Sequence, residues 1–203
     1  CDVFVTEATF GLPVFRHPET TDEIDKLLSA LRAEPERCVL VGTYALGKAQ
    51  RVIAELRGMG FDDPIYIHGA LQRLCDLYAD HGVPLGELRP ATGVARKELQ
   101  GRIILCPPGA LNDRWSRRLP DPVTAMASGW MTVRQRARQR NVELPLILSD
   151  HADWDELTST LREIAPKEVW VTHGREDALV HWCSQHQIKA RALELSGYED
   201  EDD

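Results

Sequence analysis

The amino-acid sequence predicts an α/β fold built on a parallel, doubly wound, Rossmann-like sheet. Short apolar runs recur along the chain, too continuous for strands with one wet face. Amphipathic stretches of about 10–14 residues separate them, which is the length of a crossover helix. Several runs also stop at glycine or proline, as at Gly42 and at Pro107-Pro108.

The elements follow in order. Residues 3–6 read as a strand, followed by the link Phe10-Gly11-Leu12-Pro13 and a helix over 21–32. Asp22 and Glu23 sit where acidic side chains favour the positive helix start. Residues 38–41 form a buried strand, and 46–57 a helix with Ala49, Val52, Ile53 and Leu56 on one face. A strand over 64–68 leads to a helix over 70–81, and a strand over 103–106 to a short helix over 111–118. Strands over 123–127 and 144–148 precede a helix over 153–164, with Asp153 as a plausible N-cap. A strand over 169–172, a helix over 177–187 and a last strand over 190–195 complete the pattern.

Composition excludes few functions. Apolar residues make up 43% and charged residues 28% of the 203 residues, as in ordinary globular proteins. No apolar run approaches the roughly 18–20 residues that span a bilayer, so no membrane partner is expected. The first residues lack the basic head and apolar stretch of a secretory signal. The five cysteines are dispersed without a CxxC pair, which favours reduced thiols over a cysteine-based zinc site. Together these features predict a cytoplasmic location. The chain opens on Cys1 and enters a strand by Val3, so it is expected to be a fragment of something longer.

The formal charge of −8 is unevenly distributed. The run Glu199-Asp200-Glu201-Asp202-Asp203 carries −5, leaving −3 on the rest. Between residues 114 and 140, Arg114, Arg117, Arg118, Arg134, Arg136, Arg138 and Arg140 face only Asp121. Such a basic region suits a nucleic-acid groove, although a solvated face would look the same. Arg134, Arg136, Arg138 and Arg140 alternate, so in an extended segment they would share one face and track a phosphate backbone, whereas in a helix they would spread around it. The run Gly42-Thr43-Tyr44-Ala45-Leu46-Gly47-Lys48 resembles half a phosphate loop, but Ala49 stands where Ser or Thr is required.

Three segments place a polar or ionisable residue where a strand ends, and in an open α/β sheet such ends meet in one crevice. They are Val3-Phe4-Val5-Thr6-Glu7, Leu146-Ile147-Leu148-Ser149-Asp150-His151-Ala152-Asp153 and Val169-Trp170-Val171-Thr172-His173-Gly174-Arg175-Glu176. A histidine there can ligate a metal or move a proton near neutral pH, and a carboxylate on its second nitrogen fixes the tautomer. Taken singly, each histidine could equally cap the following helix.

These segments resemble motifs A, B and C of the β-CASP nucleases in the metallo-β-lactamase superfamily. Glu7 in Glu-Ala-Thr-Phe-Gly looks like the motif A acid, His151 in Ser-Asp-His-Ala-Asp like motif B, and His173 in Thr-His-Gly-Arg-Glu like motif C. Tyr44-Ala45-Leu46-Gly47-Lys48-Ala49-Gln50, Ile65-Tyr66-Ile67-His68 and Ala127-Ser128-Gly129-Trp130-Met131 extend the match over nearly the whole chain. The tryptophan in Ser-Asp-His-Ala-Asp-Trp resembles the bacterial ligase-associated DNA exonucleases in particular. The His-x-His-x-Asp-His motif and the later His and Asp ligands of the family are absent.

The resemblance implies a Rossmann-like β-CASP domain inserted in a metallo-β-lactamase αββα fold, with only the C-terminal portion present. Residues 1–19 would end the first metallo-β-lactamase segment, 20–143 form the insertion, 144–196 return to the first domain, and 197–203 make an acidic tail. It further implies hydrolysis of DNA phosphodiesters in repair by two divalent ions, zinc or manganese, with His173 as a ligand of one. His151 would face the scissile phosphate and Glu7 would hold it, while Ser128, Gly129 and Ser149 bind nearby phosphate. Single-stranded DNA or a free end is the expected substrate, with a functional link to an ATP-dependent DNA ligase and a helicase. An RNA nuclease of the mRNA 3′-end type and a non-catalytic nucleic-acid scaffold are the alternatives; the long insertion disfavours a small-molecule hydrolase. This chain alone is expected to be inactive.

Overall fold

In the structure, a computed structural model that describes residues 1–193, the apolar runs become strands of two separate, wholly parallel sheets. Each sheet belongs to its own compact unit, residues 18–149 in one case and residues 1–17 with those from 150 onward in the other. The acidic run 199–203 and the end of the expected last strand lie outside the described residues.

The larger unit holds six strands. They are β2 (Val39–Gly42), β3 (Ile65–Ile67), β4 (Leu88–Pro90), β5 (Ile103–Cys106), β6 (Val123–Ala127) and β7 (Leu144–Leu146). Across the sheet they run β4-β3-β5-β2-β6-β7. Every residue of β2 and β5 is buried, which explains why their sequences do not alternate. Val39 and Val41 point into one core with Ile24, Ile53 and Leu105, whereas Leu40 points into the other with Tyr66, Ile104 and Leu111. The helices α1 (Thr20–Ala33), α2 (Lys48–Gly58) and α3 (Gly69–Asp80) bury Ile24, Leu27, Ile53, Leu56 and Leu71 in the first of these cores.

Three local features differ from expectation. The strand expected over 144–148 is β7, and it pairs in parallel with β6 at the edge of this sheet. Residues 144–149 therefore pack with the larger unit, not with the residues that follow them. The edge position suits Pro145, which has no N–H to give to a further ladder. Two buried charges hold the segment after it: Glu23 accepts from the Ile147 N–H at 2.8 Å and pairs with Lys26, and Lys48 Nζ donates to the Leu148 carbonyl at 2.9 Å. The helix expected over 111–118 is instead two 3₁₀ turns, Pro108–Asn112 and Ser116–Arg118. Asp113 separates them because its carboxylate accepts from the N–H groups of Trp115 and Ser116, at 2.6 and 3.1 Å. The short β4 had no legible signal at all.

The smaller unit has the order β1-β8-β9, from β1 (Val3–Ala8), β8 (Glu168–Gly174) and β9 (Lys189–Ala192). The helices α5 (Trp154–Ile164) and α6 (Glu176–Gln185) join Ala8, Val169 and Val171 in one core through Leu157, Leu161, Leu179 and Cys183. On the opposite face Val3 and Val5 are 39% and 51% exposed, and the Arg191 guanidinium lies 4.3 Å over the Trp170 ring. A bulge interrupts the β1–β8 ladder: Glu7 pairs with Thr172, but Ala8 pairs with Gly174. His173 is the extra residue, at φ 59°, and Gly174 follows at φ 101°. A Cβ on Gly174 would stand 2.3 Å from the Ala8 carbonyl oxygen, so only glycine fits.

Gly174→Ala should therefore lower stability by at least ~1–2 kcal/mol, a drop of several degrees in melting temperature. Gly58→Ala, with open space around it and no positive φ, should lower it by nothing; equal losses would contradict the bulge. Burial pushes the Cys38 and Cys106 thiols up to about 12 and raises those of Cys75 and Cys183. At pH 8 only about one in ten thousand of the first pair is thiolate. An aromatic disulfide reagent should thus titrate exposed Cys1 alone in the folded protein and all five cysteines after unfolding.

Candidate active site

Glu7 sits one residue from the end of β1, and its carboxylate is held on both oxygens. Oε2 accepts from the Thr9 N–H at 2.6 Å, closing a short turn over the strand end. Oε1 lies 3.3 Å from His151 Nδ1. For Glu7 to accept there, Nδ1 must carry its hydrogen, which in the neutral ring puts the acceptor lone pair on Nε2. The histidine side chain is 52% exposed and that of Glu7 31%, so solvent and substrate can reach the pair.

His151 precedes α5 by a few residues and is fixed through the helix start. Asp153 is the N-cap: Oδ1 accepts from the Glu156 N–H at 2.9 Å, and Glu156 Oε2 accepts in return from the Asp153 N–H at 3.0 Å. The other oxygen, Oδ2, accepts from the His17 N–H at 2.7 Å, while the Trp154 N–H donates to the Phe15 carbonyl at 3.1 Å. The link that follows β1 is thereby stitched to the start of α5. Within that link Phe10 is 1% exposed and presents its ring edge-on to Phe15, His17 and His151, at centroid distances of 5.2, 4.7 and 6.2 Å. His151 thus has a carboxylate on one nitrogen and an aromatic wall beside it.

His173 lies on β8, next to β1 in the sheet, and the bulge turns it outward into solvent. Beyond it a cavity of about 290 Å³ is lined by Leu12, Gly174, Arg175, Glu176, Asp177 and Ala178. Among the described residues, no three His, Cys, Asp or Glu side chains are grouped so as to hold a metal ion. The donors present do not amount to the two-ion centre that the resemblance implies. What Glu7 and His151 can do by themselves is hold and transfer a proton.

The remaining candidates belong to the larger unit. The strand ends do not all meet on one sheet, because β7 belongs to the six-stranded sheet and β1 and β8 to the other. Ser128 follows β6, is 7% exposed, and accepts on Oγ from the Trp130 N–H at 3.3 Å, capping the 3₁₀ turn Gly129–Thr132 that Gly129 begins. The Ser149 carbonyl accepts from the Arg51 guanidinium. The alternating arginine stripe does not exist, because Arg134–Gln139 is the helix α4. Arg, Gln and Ala are all good helix formers, and Ala137 supplies the one buried contact the helix needs. Arg136 stacks 4.1 Å over Trp130, and Arg140 follows the helix with its guanidinium 3.9 Å from the Met126 sulfur. Arg134 and Arg138 remain exposed on one face, four residues apart.

Sequence reasoning missed the Thr9 clamp, the Phe10 wall and the second bond of Asp153. Glu156, three residues after Asp153, was the legible sign of a capping box. The His-Gly pair at 173–174 was the sign of a left-handed turn.

No family model matches the chain. It is 27% identical over 198 residues, 95% of its length, to a protein of Opitutus terrae named "Probable DNA ligase", and it spans only 19% of that protein. Among solved structures it is similar to a protein of unknown function from Enterococcus faecalis V583, with a TM-score of 0.55 and 12% identity. That likeness covers 97% of this chain and 51% of the other, and at such identity it is a likeness of fold alone: α/β with parallel sheets.

Proposed function

We propose that this chain is part of a DNA phosphodiesterase, a metallo-β-lactamase fold carrying a β-CASP insertion, in which His151 handles the proton of the leaving group. The contact of Glu7 Oε1 with His151 Nδ1 carries the reading, because it joins motif residues 144 positions apart. In the proposed step water attacks phosphorus, its surplus proton passes to solvent, and the bond from phosphorus to the departing oxygen breaks. His151 Nε2 gives that oxygen its proton, while Glu7 keeps the Nδ1 hydrogen and stabilises the charged imidazole before the transfer.

The exposed Val3 and Val5 face supports the fold assignment, since an αββα sandwich covers just such a face with a second sheet. In this reading His173 is one ligand of a divalent ion whose other ligands come from outside these residues. The likeness to a chain named as a DNA ligase favours DNA over RNA, and ligation as the companion activity. An exonuclease acting in repair on single strands or free ends is the form we favour.

The test is an enzyme in which this chain is joined to the segment supplying the ion ligands. His151→Ala should lower kcat about 10²–10⁴-fold with strand affinity unchanged, and Glu7→Gln about 10²-fold. A fully active His151→Ala enzyme would remove the acid role. His173→Ala should lower bound metal, and unchanged metal content would sink the ligand assignment. Faster cleavage of RNA than of a matched DNA strand would overturn the choice of substrate.

A further inference from the structure

Two of the most exposed large apolar side chains, Tyr44 at 61% and Leu46 at 65%, stand on one loop of the larger unit. The loop is not loose. The Thr43 N–H donates to the Cys106 carbonyl at 2.8 Å, and the Tyr44 carbonyl accepts from the Ala49 N–H at 3.1 Å. The Ala45 carbonyl accepts from Gln50 Nε2 at 3.0 Å, and the Leu46 carbonyl from the Lys48 N–H at 3.0 Å. Gly47 turns the chain at φ 78° into α2. A backbone tied at each of residues 43–46 fixes the point from which the exposed Tyr44 ring projects, against the hydrophobic preference of that ring.

The place is telling. The loop leaves the C-terminal end of β2, where the chain departs towards β3 through α2 and later returns from β5 to β6 past β2. The returning segment crosses so closely that a Cβ on Gly42 would stand 2.5 Å from Leu111 Cδ1. Ligands of open α/β sheets bind at this kind of topological switch point. One of the two strands beside β2 is β6, which leads through Trp130, under the Arg136 guanidinium, to exposed Arg134 and Arg138. An outstanding aromatic ring at the end of one strand, with guanidinium groups following the end of the adjacent strand, is the chemistry that holds single-stranded nucleic acid.

We propose that Tyr44 is a base-stacking residue: one base of a single strand crossing the C-terminal edge of the six-stranded sheet lies on its ring, while Arg134 and Arg138 meet phosphates. This rests on the nucleic-acid reading above and adds the site and the part of the substrate recognised. The ring acts through its face, so the hydroxyl is dispensable and the base preference weak.

The experiment is fluorescence anisotropy of a labelled short oligothymidylate with the 203-residue chain. Tyr44→Ala should weaken binding at least about tenfold and Tyr44→Phe by less than about twofold. Both should keep the wild-type melting temperature. A strand of abasic sugar-phosphate should bind wild type and Tyr44→Ala alike, because only phosphate contacts remain. Unchanged affinity of Tyr44→Ala for oligothymidylate overturns the proposal, as does a Tyr44→Phe loss equal to that of alanine. If the double variant Arg134→Glu with Arg138→Glu weakens binding while Tyr44→Ala does not, stacking fails and the nucleic-acid reading stands. If the wild-type chain binds neither strand, both fall.

Discussion

Asp153 accepts hydrogen bonds in two directions, and the candidate active site is arranged around that division. One oxygen closes the first turn of α5; the other takes the His17 N–H from a segment far away in sequence. The side chain is 5% exposed, so each bond forms away from competing water. An N-cap alone contributes about 1 kcal/mol to a helix. Here the same carboxylate also fixes where the chain after β1 meets the start of α5, and hence where His151 stands relative to Glu7.

Glu7 repeats this economy on the other side. Its two oxygens are divided between Thr9 and His151, so the carboxylate cannot swing away without giving up a backbone bond of 2.6 Å. The neighbouring strand carries the opposite device, a local departure from regular pairing. His173 occupies a left-handed conformation that costs a non-glycine residue roughly 1–2 kcal/mol. It persists because the Gly11 and Arg175 N–H groups, both at 2.9 Å, converge on the Ala8 carbonyl and close the bulge. Backbone strain held in place by such over-determination collects at functional sites.

How much of this the sequence discloses depends on what each residue must satisfy. Buried strands such as β2 and β5 announce themselves because every side chain is apolar. The helix α2 does so because Val52, Ile53 and Leu56 share a buried face. The partition of 144–149 was illegible, since a strand does not state which sheet it joins; buried Glu23 and Lys48 decide that, and each reads as an ordinary surface charge. Lys48 adds a second reason against a phosphate loop to the misplaced Ala49: its ammonium is turned inward onto a carbonyl. The arginine stripe failed because alternation is a pattern of charges, while helix propensity acts on the backbone that carries them. Glu7, His151 and His173 stand out as ionisable residues after apolar runs, but the clamps on them are contacts that motif spacing does not encode.

Two of the exposed apolar features among the described residues differ in kind, and the difference separates packing from recognition. Val3 and Val5 lie on one regular face of a parallel sheet, in register with Trp170 and its covering Arg191. That surface is extended and repeats every second residue, so its natural complement is another layer of secondary structure about 10 Å away. Tyr44 is a single ring on a tied loop that it shares with exposed Leu46, not one position of a repeating sheet face. A layer of secondary structure cannot lie flat on such a projection, but a planar group of similar size can stack on it face to face. The loop's hydrogen bonds remove the entropy that a mobile loop would lose on binding, so ordering the backbone costs little further at the moment of contact. Display of one ring on a tied loop, with guanidinium groups following the adjacent strand, therefore fits a ligand that brings both a flat base and a charged backbone.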